Sequence, residues 1–168
     1  MKKIILFLGL LFTYMFTFSG CGCTTVSIMQ TGLGEGKAYL VEIDALMFTE
    51  TERIDTTFMI IYDIDSDNFG SSLDDCEVEI LNPIMDEATV LSLDKPIYFK
   101  GDSIASGSNL LDIEGVDLSI NIDQVSCIFQ NSFIDHLDTQ GEEFEFLLEV
   151  LTSEEERFTS TAILTLDF

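Results

Sequence analysis

The segment 142-EEFEFLLEVLTSEEER-157 carries two periodicities at once. Phe144, Phe146, Leu148 and Val150 recur at every second residue, as on a strand with one buried face, whereas Phe144, Leu147, Leu148 and Leu151 lie along one side of a helix. Read as a strand, the segment enters a turn at 153–156 and leads into another alternating run, in which Phe158, Ser160, Ala162, Leu164 and Leu166 interleave with Thr159, Thr161, Ile163 and Thr165. The strand reading therefore yields a terminal hairpin, and the helical reading yields no partner for it.

The same period recurs upstream. Val116, Leu118, Ile120 and Ile122 alternate with Asp117, Ser119, Asn121 and Asp123. Phe58, Ile60, Tyr62 and Ile64 form another row, and Val41, Ile43, Ala45 and Met47 a fifth, interleaved with Glu42, Asp44 and Leu46. Shorter candidates lie at 76–82, 88–93, 96–100 and 125–130, and 131-NSFIDHLD-138 fits a single helical turn. Roughly seven to nine short strands without a long helical pattern predict an all-β, antiparallel two-sheet β-sandwich, since a lone sheet cannot bury its apolar side. No internal repeat points to a solenoid or propeller.

Ahead of these strands the chain changes character. Met1, Lys2 and Lys3 precede an uncharged run, 4–18, which ends in 18-FSGCGCTTVS-27. A helix over that run would rise about 22 Å against a hydrocarbon layer of about 30 Å, so a cleaved export signal fits better than a permanent span. Phe18-Ser19-Gly20-Cys21 resembles the lipobox of bacterial lipoproteins, with Phe18 where that class usually carries Leu. The resemblance covers only the first two dozen residues and names a processing class. It implies cleavage before Cys21, lipid on its thiol and a membrane anchor at the cell envelope; an ordinary secretory signal cut nearby is the alternative. The organisation expected is a signal peptide at 1–20, a lipid-anchored flexible tether at 21–36 containing Gly32, Gly34 and Gly36, and a sandwich domain at 37–168.

With Lys2 and Lys3 removed, five basic residues face 31 acidic ones, a net charge of −26. Such a surface repels phosphate backbones and anionic headgroups, which speaks against nucleic acid as a partner and favours cations and basic partners. The acidity also serves solubility. Disorder does not fit, because 46% of the chain is apolar and patterned.

Two constellations bear on chemistry. In 63-DIDSDNFGSSLDD-75, Asp63, Asp65 and Asp67 take the first, third and fifth places of a D-x-D-x-D series, with Asn68 at the sharp turn and Asp74 at the twelfth place. This looks like the start of an EF-hand loop without its flanking helices, and it implies calcium as a weakly held ligand of Asp63, Asp65, Asp67 and Asp74. A solvated acidic hairpin loop is the bland reading. Among the cysteines, Cys76 and Cys127 both fall in phase with apolar strand residues. They are either small buried hydrophobes or a bridge closing a loop of about 50 residues.

Catalytic patterns are scarce. His136 is the only histidine and has no nucleophile or metal-ligand partner in spacing. The sequence thus points to a lipid-anchored β-sandwich with a binding or structural role, its partner another envelope protein. The alternative is a small carboxylate-dependent hydrolase with two acids turned inward.

Overall fold

A computed structural model describes residues 26–42, 47–69, 78–139 and 141–168. The chain divides into a main unit, Met29–Asp67 with Ile80–Phe168, and a smaller one, Met1–Ile28 with Asn68–Glu79. The described part of the smaller unit is strand, including buried Val26 and Ile28.

Thirteen strands are present among the described residues: β1 (Val26–Leu33), β2 (Lys37–Glu42), β3 (Met47–Glu50), β4 (Arg53–Ile54), β5 (Phe58–Phe69), β6 (Val78–Ile80), β7 (Val90–Leu93), β8 (Ile97–Phe99), β9 (Asp102–Ile104), β10 (Val116–Ile120), β11 (Gln124–Phe129), β12 (Glu142–Leu151) and β13 (Arg157–Leu166). One helical turn, α1 (Asn131–Ile134), follows β11 as the sequence implies. The fold is an all-β sandwich. In the first sheet of the main unit β10, β11 and β5 follow in order, and the far side of β5 is joined by β2 and β1. The second sheet runs β4–β13–β12–β7.

The alternating rows dictate which residues meet. On β5, Phe58, Ile60, Tyr62 and Ile64 are buried, and on β12 so are Phe144, Phe146, Leu148 and Val150. The ambiguous segment is therefore a strand, and β12 pairs antiparallel with β13 from Glu142↔Leu166 to Leu151↔Arg157. Phe58 and Phe129 lie directly opposite each other on β5 and β11. Their rings stack at 4.3 Å, and Phe146 from the second sheet meets both edge-on, at 6.3 and 5.6 Å. The Tyr62 hydroxyl donates to the Phe146 carbonyl at 3.4 Å, a further tie between sheets.

The structure departs from the sequence reading in four places. The expected tether contains β1, with Gln30 buried on it. Its glycines follow from close approach: a Cβ on Gly36 would lie 2.4 Å from a Tyr62 ring carbon and 2.8 Å from the Ala162 Cβ, while the Gly36 N–H donates to Thr161. The row from Val41 to Met47 is not one strand, since β2 and β3 pair with each other from Tyr39↔Glu50 to Glu42↔Met47, and 43–46 lies outside the described residues. The sheets are not wholly antiparallel, because β4 runs parallel to β13 where the chain crosses from the first sheet to the second. Finally, β8 and β9 form a hairpin turning on Lys100 and Gly101, both at positive φ, the backbone that a two-residue turn requires. These short elements explain why the strands outnumber the seven to nine expected.

Candidate functional site

Asp63, Asp65 and Asp67 belong to β5, which continues as strand through Phe69 instead of curling into a loop at this point. Their side chains are exposed and alternate with buried Ile64. Successive members of such a row stand about 7 Å apart, too far for all three to reach one ion from a regular strand. Asp74 lies outside the described residues, so the four acids are not seen together. Among the described residues no group of three or more His, Cys, Asp or Glu side chains converges as a metal site. Gly32 and Gly34 lie beside Asp65 and Asp63, where an added Cβ would sit 3.4 Å from the Asp65 carboxylate and 3.6 Å from the Asp63 Cβ.

Cys21 and Cys76 also fall outside the described residues. Cys127 is fully buried on β11 and has no covalent partner among the described residues. Burial pushes its thiol up to about 12, and burial, with a smaller contribution from Cys127, also raises the Tyr62 phenol. Both groups are neutral in the fold but ionise earlier once unfolded, so their contribution is complete at neutral pH and is lost as pH rises. For Cys127 the loss runs from its ordinary value of 9.0 to about 12. From Cys127 alone, urea unfolding at pH 10.5 should accordingly show about 2 kcal/mol less stability than at pH 8, and Tyr62 adds to that loss. A flat profile over that interval would mean that water reaches both groups.

His136 is exposed, its ring edge-on to Phe99 at 6.0 Å. Lys100 pairs with Glu114 at 2.8 Å and lies over the Phe99 ring. The strand acids Asp117 and Asp123 are exposed, as their phase requires.

Among the described residues of the main unit, an open cleft of about 860 Å³ lies where β2 and the 50–53 crossover face β13. Glu35, Glu50, Glu52 and Glu143 line it, all exposed, with Lys37, Arg53, Ala38 and Ile163. Arg53 is paired with Asp167, whereas Lys37 has no ion-pair partner among the described residues. The Thr51 hydroxyl donates to the Arg53 carbonyl and accepts from its N–H, which holds the crossover turn.

The wall formed by β13 has a gap in its hydrogen bonding. Thr161 accepts from the Gly36 N–H at 2.9 Å and Thr165 donates to the Glu52 carbonyl at 2.7 Å, so these two residues turn their backbone groups away from β12. Ile163 lies between them and shares their parity. Its opposite residue on β12, Glu145, directs its own N–H and C=O to Asp94 on the other side. The Ile163 N–H and C=O consequently point away from β12 toward the cleft; among the described residues no turn or loop backbone group bonds them, and no strand pairs with β13 on this side at Ile163. The Ile163 side chain is 55% exposed.

These cleft residues are absent from the sequence-derived site. Ile163 alone gave a signal, as an apolar residue among threonines on the outward face of its strand. For hydrolysis, one carboxyl must be kept as an acid by apolar surroundings; the four glutamates here are solvent-exposed, and neither His nor Cys lines the cleft. Among the described residues no helix is long and apolar enough to cross a membrane; the apolar run 4–18 lies outside them. Comparison of the chain with known protein families, with curated proteins and with solved structures finds no match.

Proposed function

We propose that this chain is a lipid-anchored protein of the bacterial cell envelope whose β-sandwich serves a binding role toward another envelope protein. The observation that carries the reading is the succession of Lys2-Lys3, an uncharged run and Phe18-Ser19-Gly20-Cys21. The first strand begins at Val26, five residues after Cys21, a stretch that spans at most about 18 Å when fully extended. A domain held so short of its anchor meets partners in or on the membrane. The absence of a nucleophile–base pair or a sheltered carboxyl in the cleft favours binding over hydrolysis.

The test is phase partitioning after expression in a bacterium that processes lipoproteins. The parent chain should enter the detergent phase and the Cys21→Ser chain the aqueous phase, because each buried methylene of an acyl chain contributes about 0.8 kcal/mol and at least two chains are lost. Equal partitioning of the two would exclude lipid at Cys21.

A further inference from the structure

Resting on that binding role, we infer that the cleft beside β13 receives an extended basic segment of the partner, which adds a short bridge to the open edge at Ile163. Three features of the main unit combine here. The Ile163 N–H and C=O form a donor–acceptor pair with no strand partner on this side among the described residues, between two occupied positions, Thr161 and Thr165, about 13 Å apart along the strand. An extended peptide presents the matching pair, and exposed edge groups are the usual template for strand addition. The space in front of them, about 860 Å³, has the size of a binding cleft and accommodates a few residues of another chain.

The charge around this edge selects the occupant. Glu35, Glu50, Glu52 and Glu143 surround the opening, Arg53 is neutralised by Asp167, and Lys37 is left as the opposing charge. A lysine or arginine flanking the bridging residue would find a carboxylate on either side. An apolar side chain next to it would cover Ile163, which is 55% exposed. A second copy of the chain is a poor occupant, because it would bring the same acidic rim and a large negative charge against this one.

The experiment titrates detergent-solubilised full-length protein into a fluorescent, acetylated five-residue peptide of alternating valine and lysine, read by anisotropy. Three further peptides accompany it: one N-methylated at the central residue, one with glutamate for lysine, and one of scrambled D-residues. The parent peptide should bind saturably, the N-methylated one about tenfold more weakly for the lost backbone bond, and the glutamate peptide not detectably. A chain carrying both Glu50→Gln and Glu143→Gln, two exposed positions whose change should leave the melting temperature in place, should bind about fivefold more weakly and with a flatter salt dependence. Equal affinity for the parent and N-methylated peptides, or for the D-peptide, would leave charge alone and overturn the bridge. Absence of saturable binding, or self-association of the chain in place of it, would overturn the site. The outcome is separable from that of the anchoring test, since peptide affinity does not depend on Cys21 and partitioning does not depend on Ile163.

Discussion

Phe129→Ala is expected to lower the unfolding free energy by about 3–5 kcal/mol, which for a domain of ordinary stability is a large share of the total. The magnitude follows from what the ring touches. Phe129 is fully buried, stacked on Phe58 at 4.3 Å, edge-on to Phe146 at 5.6 Å and tilted against Phe133 at 5.5 Å. These neighbours come from β5, from the opposite sheet and from the turn of α1. They are fixed by separate elements, so they cannot close together on the space an alanine leaves, and the cost of the cavity adds to the lost burial. Phe129→Leu keeps most of the volume and should cost about 1–2 kcal/mol. Ile163→Ala, on the exposed face of β13, should change stability by less than about 0.5 kcal/mol. Urea unfolding with unchanged m-values checks the series. A Phe129→Ala loss below 1 kcal/mol would mean that the two sheets are not held together through this aromatic cluster.

The elements that could be read in advance are those whose burial is local in the sequence. On β5, β12 and β13 every second residue faces the opposite sheet, and the inward residues of β5 and β12, Phe58 to Ile64 and Phe144 to Val150, are almost all apolar. Where alternation runs on from one strand into the next, as from Val41 to Met47, the pattern does not reveal the reversal that pairs Val41 with Phe48. The D-x-D-x-D row is ambiguous for a related reason: carboxylates at every second place suit a curling loop and equally the solvent face of a strand, and buried Ile64 keeps β5 extended there. The cleft was hidden because it brings residues 35–53 against Glu143 and residues 163–165, which lie far from them in sequence. The open edge of β13 at Ile163 leaves no mark in composition.

The most instructive omission is β1, and it leads to the second large effect. In 26-VSIMQTGL-33 the inward residues are Val26, Ile28 and Gln30, so a glutamine stands where the pattern calls for an apolar side chain. Gln30 is 1% exposed; its side chain is tolerated because its oxygen is hydrogen-bonded to the Ile84 N–H, and Asn82, 52 residues away, satisfies its backbone. The Gln30 N–H donates to Asn82 Oδ1 at 2.7 Å, Asn82 Nδ2 donates back to the Gln30 carbonyl at 2.7 Å and also to Glu156 at 3.1 Å, and the Gln30 side-chain oxygen accepts from the Ile84 N–H at 3.0 Å. The Asn82 amide thereby acts as one peptide unit of a neighbouring strand. Asn82→Ala removes both bonds to the β1 backbone and leaves an N–H and a C=O without water or partner, at about 1–3 kcal/mol each, so a loss of about 2–6 kcal/mol is expected. Asn82→Asp keeps the acceptor but loses the donor and sets a carboxylate against Glu156, so it should be nearly as costly at pH 7 and recover in part when acidified. Gln30→Ala, which among the described residues orphans the Ile84 N–H, should cost less than either. Urea midpoints of the three chains give the ranking. If Asn82→Ala proves no worse than Gln30→Ala, water must enter beside β1, and the amide would then be a filler of space instead of the link that holds β1 in the fold.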